Sequence, residues 1–94
     1  MKPVLDYADR EIMVGNFVAY STSTGGMGIY KVAKLNQKDP DWPSLSATEY
    51  FQKNIGEPFY RGSDKTVCLK FPHAAIVLPD GFFNTSEELY SNLV

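Results

Sequence analysis

The chain has 94 residues, 44% of them hydrophobic, with one Trp, six Tyr and six Phe; this is the composition of one small folded domain, not of a disordered chain. A formal net charge of −2 excludes a global attraction to nucleic acid or to an anionic membrane surface. The single cysteine, Cys68, excludes an intrachain disulfide and points to a reducing, cytoplasmic compartment.

The first stretch, Met1 to Arg10, reads as an extended lead-in. Pro3 disfavours a helix before it, and Asp6, Asp9 and Arg10 predict exposure, while Val4, Leu5 and Tyr7 can pack one edge segment onto the core. Its early acids do not fit a signal peptide, and no apolar run approaches the ~20 residues that span a bilayer.

Glu11 to Asn36 organises the rest. Its flanks are rich in Val, Ile, Phe and Tyr, which suit a pleated, half-buried surface, and they predict strands over Ile12–Ser21 and Ile29–Leu35. Gly15-Asn16 predicts a bulge or tight bend within the first strand. Ser21 to Gly28 reads as a hairpin loop whose glycines permit positive φ. Met27 stands among them as an apolar side chain with two readings, a cap on the core or an exposed contact for a partner.

Asn36 to Pro43 is polar, carries two prolines and reads as a loop. Trp42 within it either docks on the core or sits exposed. Ser44 to Asn54 reads as a short helix. Ser46 with Glu49 matches a capping box, Leu45 with Tyr50 matches a hydrophobic staple, and Gly56 suits a left-handed cap. Residues 37–64 thus form a helical insertion, longer than a strand connection needs, and such segments carry structure or function of their own.

Lys65–Phe71 alternates as a third strand, with Val67, Leu69 and Phe71 assigned to the core and Cys68 to the opposite face. Pro72-His73 breaks it. Ala74–Leu78 is an apolar fourth strand that places Ile76 in the core, and Pro79-Asp80-Gly81 is a turn. Thr85 with Glu88 matches a second capping box, which predicts a carboxy-terminal helix packed through Leu89, Tyr90 and Leu93.

The order strand, glycine turn, strand, insertion, two short strands resembles an SH3-like barrel. Asp9-Arg10-Glu11-Ile12-Met13-Val14-Gly15-Asn16-Phe17-Val18-Ala19-Tyr20 and Tyr30-Lys31-Val32-Ala33-Lys34-Leu35 resemble the opening strands of small tailed-bacteriophage proteins. Thr66-Val67-Cys68-Leu69 and Ile76-Val77-Leu78-Pro79 resemble their closing strands. The match covers about half the chain and departs from the pattern at Asn16 and in the long insertion. It implies a mainly β, SH3-like barrel over residues 1–94. It also implies a phage protein that binds and inhibits a host enzyme or defence factor. It carries over no catalytic residue.

Chemistry has few candidates. His73 and Cys68 are each alone in their type, a thiol nucleophile would need them paired, and one of each is too few for a structural zinc site. The Gly25-Gly26-Met27-Gly28 turn lacks the Lys-Ser/Thr and following helix of a phosphate loop. The expectation is a non-enzymatic protein without a cofactor. Two binding readings remain. Met27, Trp42, Tyr50, Phe59, Tyr60 and Arg61 supply the aromatic and arginine side chains that protein-binding hot spots favour. Alternatively, Lys31, Lys34 and Lys38 with Tyr30 and Trp42 form the basic, aromatic patch of a KOW-like nucleic-acid-binding domain, although Asp39 and Asp41 interrupt it. A cellular or host protein is the expected partner.

Overall fold

The computed structural model describes residues 3–21, 26–39 and 41–93, the side chain of Leu93 excepted. Its strands are β1 (Phe17–Ser21), β2 (Met27–Asn36), β3 (Ser44–Gln52), β4 (Phe59–Arg61), β5 (Val67–Leu69), β6 (Ala75–Val77) and β7 (Thr85–Leu89). Two 3-10 turns, Pro72–Ala74 and Tyr90–Leu93, are the helical elements among the described residues. The fold is therefore mainly β, as the sequence predicts. The strands form one sheet in the order β6-β1-β2-β3-β4-β7. β4 pairs with the end of β3 and β5 with its beginning. All pairs are antiparallel except β4 with β7.

The central hairpin forms, but β1 is Phe17–Ser21 instead of Ile12–Ser21, and β2 already begins at Met27, inside the predicted loop. Gly15, at φ +95°, turns the chain ahead of β1. That turn closes through Asn16, whose N–H donates to the Met13 carbonyl and whose Oδ1 accepts from the Met13 N–H at 2.7 Å. Gly28 serves a different purpose from the one its loop suggests: it lies within β2, and a Cβ there would come within 2.7 Å of the Tyr30 ring. Thr22 to Gly25, the rest of the predicted loop, and Pro40 lie outside the described residues. A register shift between Val32 and Lys34 explains why neither face of β2 alternates cleanly. Tyr30 and Val32 point into the core before it, and Leu35 packs against the core after it.

Neither predicted helix forms. Ser44 to Gln52 is β3, between β2 on one side and β4 and β5 on the other. Ser46, which resembles a helix cap, is instead bonded across strands: Asn36 Nδ2 donates to its Oγ at 3.0 Å and to Ser44 Oγ at 3.3 Å. A helix would have left the edge of the ten-residue β2 without hydrogen-bond partners, and Thr48, Tyr50 and Phe51 are residues that strands favour. Gly56 does take positive φ, at +90°, but in a turn between β3 and β4. The second capping box is β7, where the Glu88 N–H donates to Ser86 Oγ. Leu89 and Tyr90 are half-buried there.

The sheet carries apolar layers on both sides. One side holds Val4, Ile12, Val18, Tyr30, Val32, Leu45, Ala47, Leu69 and Ala75, all buried. The other holds an aromatic group. The Phe17 ring meets Tyr50 edge-on at 5.1 Å and Phe83 at 5.2 Å, and Phe83 lies 4.4 Å from Phe59. Successive strand residues face opposite sides, so Phe17 and Val18, or Glu49 and Tyr50, divide between the layers. The predicted core set is corrected by this geometry. Leu69 is buried, but Val67, Phe71 and Ile76 are exposed: Ile76 stands between Ala75 and Val77, which face the core, and so points to the other side of the sheet, Phe71 lies beyond the end of β5 at the start of the 3-10 turn, and Val67 is at the first position of the short, outlying β5.

The lead-in is a compact double turn. Leu5 bridges Glu11, the Ile12 N–H donates to the Val4 carbonyl at 2.8 Å, and Val4 and Ile12 enter the core. Asp6, expected at the surface, is 1% exposed. Its Oδ1 accepts from the N–H groups of Ala8 and Arg10, at 2.9 and 2.8 Å.

Candidate protein-binding surface

The aromatic and arginine residues singled out in the sequence do not form one surface. Tyr50 is 4% exposed, in the middle of the aromatic layer, where burial raises the pKa of its hydroxyl, Glu87 adding to the rise and Arg61 opposing it. Phe59 is half-buried against Phe83, and Tyr60 is half-buried on β4. Arg61 is half-buried too: its Nη2 donates to the Glu87 carbonyl at 3.2 Å and its Nη1 lies 3.4 Å from Asp64. Met27 and Trp42 are both freely exposed, but Met27 starts β2 and Trp42 follows its far end. A ten-residue strand spans about 30 Å.

The alternative basic patch is divided as well. Lys31 sits over the Phe17 ring, its Nζ 5.6 Å from the centroid, on the aromatic side of the sheet. Tyr30, its neighbour in sequence, is buried on the opposite side. Lys34 and Lys38 are exposed farther along, and Lys38 shares its surroundings with Asp39 and Trp42.

One exposed apolar site does assemble. Trp42, Pro43, Phe71, Pro72 and His73 line a cleft of about 230 Å3, with Asp41 and Lys70 at its borders. Pairing of β3 with β5 brings these residues together: Leu45 stands opposite Leu69, so the chain entering β3 and the chain leaving β5 run out side by side. Phe71 also borders a second groove, of about 520 Å3, that runs past Tyr20, Tyr30 and Ala74.

Both large rings stand on a fixed backbone. The Phe71 N–H donates to the Tyr20 hydroxyl at 3.4 Å, and its carbonyl accepts from the Ala74 N–H at 2.8 Å, closing the 3-10 turn. Pro72 suits the start of that turn, because its fixed φ is helical and it lacks an N–H that would need a partner. The Trp42 N–H donates to the Asp39 carbonyl at 3.0 Å, and Asp39 Oδ1 accepts from the Asp41 N–H at 3.0 Å. Yet Trp42 is 75% and Phe71 60% exposed. Rings presented on an ordered backbone lose little conformational freedom on binding.

Sequence reasoning found Trp42 and missed Phe71, Pro72 and His73. Alternation assigns Phe71 to the core. The signal against that is Pro72, which ends the strand and turns the backbone before Phe71 can point inward. Cys68 is exposed, and among the described residues no three His, Cys, Asp or Glu groups gather as metal ligands. No described helix is long and apolar enough to cross a membrane. No protein-family profile, curated protein or solved structure matches the chain.

Proposed function

We propose that this chain is a small non-enzymatic protein-binding module that meets its partner through Trp42 and Phe71. The observation that carries the reading is the pairing of two exposed rings with hydrogen-bonded backbones across one cleft. Aromatic anchors of this kind supply most of the affinity of compact interfaces. The scaffold in this reading is an SH3-like barrel. It is supported by β5 joining β3 while β6, one 3-10 turn later, joins β1, so that the chain crosses from one side of the sheet to the other. The resemblance to tailed-phage proteins extends the proposal to a host protein in the host cytoplasm, an enzyme or defence factor inhibited by occupation of its surface.

A KOW-like nucleic-acid role draws less support, because Lys31 is engaged over Phe17 and Tyr30 is buried. The test uses tagged protein as bait in host cytosol. Trp42→Ala and Phe71→Ala should each abolish recovery of a protein that the wild type retains, with circular dichroism unchanged. Recovery equal to wild type in both variants overturns the reading. Salt-sensitive gel shifts with DNA or RNA at sub-micromolar protein would turn it toward nucleic acid.

A further inference from the structure

Three strands end the sheet: β6, β7 and β5, which pairs with β3 off the main order. The edge of β6 is filled. The Ala75 N–H donates to the Pro72 carbonyl, and the Ala75 carbonyl accepts from the Tyr7 N–H at 2.8 Å. The Val77 N–H donates to Asp6 Oδ2 at 2.8 Å, and the Val77 carbonyl accepts from Arg10 Nη2 at 2.6 Å. β7, Thr-Ser-Glu-Glu-Leu, carries Glu87 and Glu88 within the strand itself, and charge there deters a further strand.

β5 has neither protection. Its three residues, Val-Cys-Leu, are uncharged, and among the described residues β5 pairs with β3 alone. No turn or loop hydrogen bond among the described residues reaches Val67, Cys68 or Leu69. The backbone on either side is engaged: the Lys65 N–H donates to Ser63 Oγ at 3.0 Å, and the Phe71 N–H to the Tyr20 hydroxyl. Polar groups alternate sides along an antiparallel strand, so either Cys68 or both Val67 and Leu69 turn N–H and carbonyl away from β3. The groove of about 520 Å3 lies on that side. β5 forms one wall, Tyr20, Tyr30 and Ala74 the other, and its lining includes no residue of β3. The charges stand just outside the strand. Lys65 and Lys70 are exposed at its two ends, and the ion pairs Arg10–Asp6 and Arg61–Asp64 engage neither.

We propose that the partner of this protein adds a strand to the outer edge of β5, and that this strand is an extended segment with acidic residues at its ends. Charge complementarity selects that occupant: Lys65 and Lys70 attract carboxylates and repel a basic strand. Main-chain hydrogen bonds to β5 supply affinity, and the tyrosine wall receives alternate side chains. The proposal rests on the reading of Trp42 and Phe71 as the partner's anchors and extends it, because Lys70 and Phe71 line both the groove and the Trp42 cleft.

The test uses the intact protein and two capped peptides, Glu-Val-Thr-Val-Thr-Glu and Lys-Val-Thr-Val-Thr-Lys. The glutamate-ended peptide should slow hydrogen exchange at the outward amides of β5 at least about tenfold. It should bind at least about tenfold tighter than the lysine-ended one, and Lys65→Glu with Lys70→Glu should reverse that order. Proline at its third position should abolish the protection by removing a donor. No protection at millimolar peptide, protection only outside β5, or equal binding of the two peptides overturns the proposal. A wild-type dimer in sedimentation, with slow exchange throughout β5, overturns it in favour of a second copy. Partner capture lost in Trp42→Ala and Phe71→Ala, without protection of β5 by peptide, removes the added strand and keeps the two-ring surface. Protection of β5, with capture unchanged in both ring variants, does the reverse.

Discussion

Aromatic side chains follow two different courses in this molecule. Phe17, Tyr50, Phe59 and Phe83 lie against one another on one side of the sheet, edge to face or tilted, and cover it. Trp42 and Phe71 stand apart from that group at the end of the β3–β5 pair, each on a hydrogen-bonded turn with its ring in solvent. Residue type is the same in both places. What separates them is whether the sheet supplies a facing ring, and that depends on strand parity and on where a strand stops. Aromatic content alone therefore identifies neither a core nor a binding surface.

The sharpest way to break this contrast is to truncate one member of each group. Tyr50→Ala should cost about 3–5 kcal/mol by urea denaturation, a large share of the stability of so small a domain. Its partner capture should fall only in proportion to the folded fraction; a stable Tyr50→Ala protein that loses its partner would move Tyr50 back to the surface. On the other side of the sheet, Leu69→Ala should cost about 3 kcal/mol, whereas Val67→Ala, two residues away on the same face but exposed, should cost under about 1 kcal/mol. Equal losses would mean that Val67 is buried with Leu69 and that β5 packs into the core along its whole length.

Acid supplies a smaller effect, centred on the buried Asp6. Burial by itself raises the Asp6 pKa, but the N–H groups of Val77, Arg10 and Ala8, with the Arg10 charge, outweigh it and hold the carboxyl below its usual range. A depressed carboxylate contributes stability that is complete above its unfolded value of about 3.9 and is lost as pH falls through the lower folded value. The midpoint of urea unfolding should therefore drop as pH falls below about 4, and Asp6→Asn should flatten that drop. An acid limb equally steep in the variant would assign it to other carboxylates.

Smallest of all are the stability effects at the exposed rings. Trp42→Ala and Phe71→Ala should change folding by no more than about 0.5 kcal/mol. If they are hot spots, each should weaken partner binding by about 2 kcal/mol or more, roughly thirtyfold. Met27→Ala, about 30 Å away along β2, should change neither quantity.

The central hairpin is legible in the sequence because its cues are local, β-favouring residues and a turn at Gly15-Asn16, and so is the turn at Pro79-Gly81 after β6, which closes through the Phe82 N–H and the Pro79 carbonyl. β3 and β7 are not legible, because Ser46 and Glu49, or Thr85 and Glu88, match a helix start equally well when read alone. Only the unpaired edges of β2 and β4 decide the matter, and those are properties of the assembled sheet. At the candidate surface, Trp42 is visible as a large apolar residue among polar neighbours. Phe71 is hidden by an alternation that Pro72 cuts short.

The contact between Asp6 and Val77 joins residues 71 positions apart. The edge it covers does not exist until β6 has found β1, and that pairing itself links Val18 with Val77. Closure of this edge thus waits on the meeting of segments 71 residues apart. Folds dominated by such distant pairings cross their barrier slowly, in milliseconds to seconds, because the entropy of closing a long loop is lost before any contact rewards it. During synthesis the segment around Asp6 emerges well before β6, so this edge closes only after Val77 has been made.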